Sequence, residues 1–174
     1  MITYSPMTIA DHAEAFELWR RTEGVGISAA DGREGIERYL DRNPGFSCVA
    51  RVDGKLIGTL MAGHDGRRGY LFHLAVASEV RGRGIGRELV RRSLEALKAA
   101  GIERTHAMVF SNNTSAHSFW KQIGFQYLDF MHVYSISLIA PEERLSLGTV
   151  AATREIIRNQ TESDGNSKQN SKKE

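Results

Sequence analysis

The chain has 174 residues, 41% hydrophobic and 25% charged, enough apolar material for one domain with a substantial core. Its 23 basic and 21 acidic residues leave +2 at neutral pH, too mild a balance to argue for nucleic acid. A single cysteine, Cys48, excludes an internal disulfide and a cysteine-based zinc cluster. No apolar run reaches membrane-spanning length, and the N-terminus has no basic stretch leading into a hydrophobic one, so a cytoplasmic protein is expected.

In chain order, Ile2–Ser5 reads as a first strand, and Thr8 with Asp11 three residues on resembles a capping box opening a helix to about Thr22. Glu23–Gly35 is glycine-rich and irregular, and Glu34–Arg42 is a second helix stopped by Asn43-Pro44. Phe46–Val52 and Lys55–Met61 are predicted as strands joined at Asp53-Gly54, a hairpin turn signal. Another turn, His64 to Gly69, leads into a strand over Tyr70–Ala77. From Gly84 to Ala100, Ile85, Leu89, Val90, Leu94 and Leu97 recur at helical spacing, and Gly101 ends the run. Thr105–Phe110 is a fifth strand, Thr114–Ile123 a fourth helix, and Tyr127–Ile139 is expected to carry one or two last strands. Residues 1–140 are read as the folded domain and 141–174 as a C-terminal extension, partly helical and then disordered.

The segment Leu71 to Gly86 carries the most chemistry. An apolar strand enters a turn of alternating glycines and arginines, and an amphipathic helix starts at once. Glycines permit positive φ and leave no Cβ in the way, so several N–H groups can converge on one point. The helix N-terminus adds unsatisfied donors and partial positive charge, and Arg81, Arg83 and Arg87 have the same sign. The segment reads as a pyrophosphate cradle. It is no P-loop, since Gly-Lys-Ser/Thr is missing, and no dinucleotide fingerprint, since Arg87 stands where a third glycine belongs.

Arg81-x-x-Gly84-x-Gly86 does resemble the Gln/Arg-x-x-Gly-x-Gly/Ala signature of the GNAT superfamily of acyl-CoA-dependent N-acyltransferases. Downstream, Asn113-Thr114-Ser115-Ala116-His117-Ser118-Phe119-Trp120, ending in Gly124-Phe125, is similar to that family's Asn-x-x-Ala-x-x-Phe-aromatic-x-x-x-Gly-Phe. The resemblance covers roughly Ile2 to Leu138. It implies a mixed α/β fold, a mostly antiparallel sheet of six to seven strands flanked by about four helices. A right-handed crossover helix would join two parallel neighbours. The turn at Asp65-Gly66-Arg67-Arg68-Gly69 resembles a subgroup of bacterial members without an assigned substrate.

By that resemblance the donor is acetyl-CoA, its diphosphate on the amides of Arg81, Gly82, Arg83, Gly84, Ile85, Gly86 and Arg87. Its pantetheine arm would lie along Leu74, Ala75 and Val76 almost as an added strand. Asn113 would hydrogen-bond that arm, with Ala116, Phe119 and Trp120 packing beside it. A backbone N–H near Val76 would polarise the thioester carbonyl, a kind of donor worth about 3 kcal/mol. Arg91 and Arg92 read as solvated helix charges.

Two groups common in the family are missing. Trp120 stands where many members have a tyrosine that can protonate the leaving thiolate, and Ser115 and Ser118 read first as ordinary helix residues. The positions that carry a glutamate base in relatives hold Met108 and Tyr70. His73 is the best replacement, because imidazole titrates in the useful range, with Tyr70 the other catalytic candidate and His106 and His64 behind them. The competing view of His73 is a sheet histidine satisfied by a neighbour. Asp31 and Glu23 could hold a cationic amine, the plainer view being a solvated loop. Cys48 reads as core.

The expected activity is transfer of acetyl from acetyl-CoA to a primary amine by direct attack in a ternary complex, without metal. The acceptor would be a small-molecule amine or a protein amino group, with neither nucleic acid nor membrane as partner; a homodimer is implied only by relatives. The alternative is a noncatalytic acyl-CoA-binding regulatory module, which binds without turnover. A nucleic-acid domain built on Arg67, Arg68 and Arg81 to Arg92 lacks interleaved aromatics and any known binding motif.

Overall fold

The structure, a computed structural model, describes residues 1–138. The hydrophobic periodicities seen in the sequence become buried faces. In α1 (His12–Arg20), Ala15, Leu18 and Trp19 are buried at i, i+3 and i+4. In α2 (Arg33–Arg42), Ile36 is buried, and Tyr39 and Leu40 pack against the core at the same spacing. In α3 (Ile85–Ala99), Ile85, Leu89, Val90, Ser93 and Leu97 turn inward, and α4 (Thr114–Gln122) is the shorter fourth helix.

Five strands form one sheet in the order β1-β2-β3-β4-β5: Ile2–Pro6, Cys48–Val52, Lys55–His64, Gly69–Val76 and Thr105–Ala107. The first four are antiparallel neighbours, and β5 runs parallel to β4 after the α3 crossover. Central β3 is buried from Leu56 to Gly63, because helices cover it on both faces. Asp53 and Gly54, at φ 48° and 79°, make the β2–β3 turn that the Asp-Gly pair announced.

Two departures from regularity mark the outer part of the sheet. First, β4 bulges: Phe72 faces Met61 and Ala75 faces Thr59, so His73 and Leu74 together oppose Leu60. His73 adopts φ +51° to do so. Phe72 then meets Tyr39 of α2 while His73 meets Trp19 of α1, two successive side chains on one face where a regular strand would alternate. Second, β5 pairs with β4 only at Gly69, Tyr70 and Leu71, so beyond Leu71 the two strands part.

The sheet has five strands among the described residues, fewer than the six to seven expected. Residues 127–138 form no strand, although Tyr134-Ser135-Ile136-Ser137-Leu138 alternates as one would. Alternation reports which faces a strand could bury. A strand also needs a neighbour for its backbone hydrogen bonds, and β5 is only three residues long. Phe130, Tyr134, Ile136 and Leu138 are accordingly exposed. Ile139 and the extension 141–174 lie outside the described residues.

Helix α3 lies so close over β3 that a Cβ at Gly58 would stand 3.1 Å from Leu89 Cδ1 and 3.2 Å from Ile85 Cγ2. Gly58→Ala should therefore destabilise the fold by about 1–3 kcal/mol through overpacking, read as a lower urea midpoint at unchanged slope.

Candidate active site

The turn after β4 is built as the glycines require. Gly82 and Gly84 sit at φ 76° and 78°, and a Cβ on either would meet no protein atom within 4 Å. The protein's own packing leaves the space before them open, and Gly84 N-caps α3, whose first amides are unsatisfied donors. Arg81, Arg83 and Arg87 are exposed around this turn. Gly86 is closed in instead: a Cβ there would stand 3.4 Å from Phe119 and 3.7 Å from Val76. This joins the two sequence motifs in space.

Among the described residues, the parting of β4 from β5 leaves a free backbone edge beside that turn. Ala77 N–H donates to Ile57 at 2.9 Å and Gly58 lies opposite Val76. Hydrogen-bonded and open pairs alternate along an antiparallel ladder, so the N–H and C=O of Val76 turn away from β3 into the opening. Arg81 Nε donates to the Val76 carbonyl at 3.0 Å, and the Val76 amide is left facing the gap. An anion cradle at one end and a strand edge along one side fit a long ligand with a diphosphate and an amide-bearing arm. Among the described residues no group of three or more His, Cys, Asp or Glu is placed to hold a metal ion.

His73 stands in this unpaired stretch. Its Nε2 lies 2.6 Å from Asp31 Oδ1, and its ring packs edge-on to Trp19 with centroids 4.6 Å apart. Asp31 is buried, not solvated as the plain reading of its loop suggested. Its other oxygen, Oδ2, accepts from Ser28 N–H at 2.6 Å and from the Ser28 hydroxyl at 3.1 Å, closing a 3-10 turn over Ala29–Asp31. Ser28-x-x-Asp31 is the same capping pattern as Thr8-x-x-Asp11, where Thr8 N–H donates to Asp11 at 2.7 Å. That repeat was the sequence signal for an ordered Asp31. Its partner forty-two residues away had none.

The remaining candidates disperse. Tyr70 does not reach His73: its hydroxyl donates to Asp65 at 3.4 Å and its ring stacks beside Phe72. It lines a separate groove of about 240 Å³ with Tyr39, Arg42, His64 and Asp65. His64 Nδ1 accepts from Gly66 N–H, and His106 lies across from Tyr70. Asn113 spends its Oδ1 on Ala116 N–H at 2.9 Å, capping α4, while its Nδ2 presses on Gly24. Through that contact the α1–α2 loop, whose Glu23 lines an open cleft of about 610 Å³ with Phe16 and Arg21, reaches the start of α4. Trp120 packs edge-on to Phe125 at 4.7 Å, and Ser118 donates to the Thr114 carbonyl within its own helix. Arg91 and Arg92 are paired with Glu88. Cys48 is buried, which pushes its thiol up.

Burial raises the Asp31 carboxyl, but the His73 bond and the two Ser28 donors outweigh it and hold Asp31 below the usual carboxylate range. A carboxyl lowered by folding contributes stability above its unfolded value and loses it as pH falls through its folded one. The melting-temperature gap between wild type and Asp31→Asn should thus narrow as pH falls below about pH 4, measured by circular dichroism.

The model of the acetyltransferase (GNAT) family matches residues 12–125. The chain is 32% identical over 133 residues to acetyltransferase SG1711 of Sodalis glossinidius, covering 76% of this chain and 93% of that protein. It is 34% identical over 119 residues to acetyltransferase ECA0875 of Pectobacterium atrosepticum, covering 68% and 84%. Among solved structures, the PaiA N-acetyltransferase of Thermoplasma acidophilum in complex with coenzyme A matches with a TM-score of 0.66 at 20% identity. That match covers 74% of this chain and 92% of the other. At that identity the match speaks for the fold, while the family model and the two relatives speak for descent. With cradle, free strand edge and homology in agreement, this chain belongs to the GNAT family and is an acetyl-CoA-dependent N-acetyltransferase.

Proposed function

We propose that the chain acetylates a primary amine by direct attack in a ternary complex, with His73 as the base and Asp31 orienting it. The observation that carries this reading is the 2.6 Å contact between His73 Nε2 and Asp31 Oδ1 in the unpaired part of β4. With Nε2–H donating to a carboxylate, Nδ1 keeps its lone pair, and the carboxylate stabilises the imidazolium that forms once a proton arrives. An alkylammonium titrates near 10.4, so a base that takes its proton near neutrality matters.

Gly82, Gly84 and the α3 N-terminus would hold the donor's diphosphate, and the edge of Leu74 to Val76 would align its arm. The amine gives a proton to His73 Nδ1 and attacks the thioester carbonyl carbon. The C–N bond forms, the C–S bond breaks, and the carbonyl oxygen is steadied by the Val76 amide meanwhile. The sulfur of CoA leaves as thiolate, tolerable at a pKa of roughly 8.5, and the second proton shed by the amine nitrogen as the amide forms passes through water to that thiolate, since Trp120 offers no acid. A covalent route through Cys48 is disfavoured by its burial in β2. The acceptor, a small-molecule amine or a protein amino group, would approach from the α1–α2 face, where His73 and Phe72 both point.

Thiol-reagent detection of CoA release across an amine panel tests the activity. His73→Gln should lower kcat about 10²-fold with acetyl-CoA KM little changed; wild-type kcat would remove His73 from the mechanism. Gly84→Ala, forcing a Cβ onto a left-handed backbone, should raise acetyl-CoA KM about tenfold, since distortion there costs roughly 1–2 kcal/mol.

A further inference from the structure

We infer that Thr59, backed by Trp19, is a positioning residue for acetyl transfer: its hydroxyl fixes the main chain of the β4 bulge at His73 and so the attitude of the imidazole. The inference rests on the reading of His73 as base. Thr59 and Trp19 are both fully buried. Trp19 Nε1–H donates to Thr59 Oγ1 at 2.8 Å, and Thr59 Oγ1–H donates to the His73 carbonyl at 3.0 Å. The direction of this relay is forced, because an indole nitrogen only donates and a carbonyl only accepts.

The relay meets a specific need. In a bulge one residue loses its place in the ladder, and here two residues of β4 share one partner on β3. His73 also holds φ +51°, a backbone that side-chain-bearing residues rarely adopt. Without that donor its part-buried carbonyl would lose its protein partner, which favours collapse of the bulge into regular strand. A regular strand would turn His73 to the opposite face, away from Asp31. The imidazole is thus held at three points: Asp31 at Nε2, the Trp19 ring against its side, and Thr59 on its own carbonyl. Packing alone would not call for this hydroxyl. Valine has the same shape, prefers strands and would fill the site.

Thr59→Val and Thr59→Ser separate hydroxyl from shape. Thr59→Val should lower kcat about tenfold, since small misplacement of a reacting group costs that much or more, with acetyl-CoA KM within about twofold of wild type. Thr59→Ser should restore kcat to within about twofold. In the His73→Gln background, Thr59→Val should cost less than about twofold, because the group it positions is gone. In nitrogen-15 histidine spectra, the His73 ring resonances should move in Thr59→Val and stay in Thr59→Ser. The inference is overturned if Thr59→Ser is as slow as Thr59→Val, if Thr59→Val costs the same in both backgrounds, or if the ring resonances do not move. Wild-type activity in His73→Gln would instead remove the base reading, leaving the resonances to decide whether Thr59 orients the ring. Should Thr59→Val not fold, Trp19→Phe keeps an aromatic six-membered ring and deletes the N–H with the pyrrole half of the indole. It should slow kcat severalfold, and an unchanged kcat would overturn the relay.

Discussion

The architecture turns on the outer edge of β4, which beyond Leu71 has no strand partner among the described residues. Strand backbones are obliged to find hydrogen-bond partners, yet β5 accompanies β4 for three residues only and then leaves. What remains is a strip of main chain that the protein answers piecemeal. Arg81 folds back onto the Val76 carbonyl, and the Val76 amide stays directed into the gap. That strip ends at the glycine turn, where α3 begins with further unclaimed amides. A ligand able to offer acceptors in a line, closing on an anion, completes both.

The bulge in the same strand sets the other side of the site. One extra residue opposite Leu60 lets Phe72 and His73 share a face, which a two-residue repeat forbids. The imidazole then meets Asp31 at the start of the segment leading into α2. Asp31 serves two ends with its two oxygens: Oδ2 closes its own turn and Oδ1 meets the ring. Loop order and imidazole orientation are therefore one arrangement, and neither is kept if the carboxylate is lost. His12 Nε2 at 2.9 Å from the Asp31 carbonyl binds α1 into it as well.

What the sequence disclosed was what is local. Gly82 and Gly84 declare positive φ by themselves, Asp53-Gly54 declares its turn, and the spacing of Ile85, Leu89 and Leu97 declares the buried side of α3. The bulge was not legible, because Leu71 to Val76 is largely apolar and gives no alternation from which a slip could be read. Asp31 was half legible: its cap pattern lies within four residues, whereas its bond to His73 depends on how α1 and α2 settle on the sheet. Residues 127–138 failed in the opposite sense. Their alternation is real, but pairing belongs to the neighbour as much as to the strand.

The loss of a family's usual acid and base is compatible with a working site if the barrier falls elsewhere. A thiolate needs little help to leave, so tryptophan in place of tyrosine at position 120 removes a convenience. The amine's proton is the harder problem, and a lone histidine on a strand would be a loosely held answer to it. Here the ring is bonded to a carboxylate, lies against a buried indole, and is carried on a carbonyl tied down by Thr59. As the proposed base, His73 would contribute position: a group held in one attitude has already met the orientational cost that a free one would meet in the transition state. Trp19 and Thr59 place buried polar groups against the part-buried His73 carbonyl, a costly way to build a core, and what the arrangement fixes is the main chain at His73.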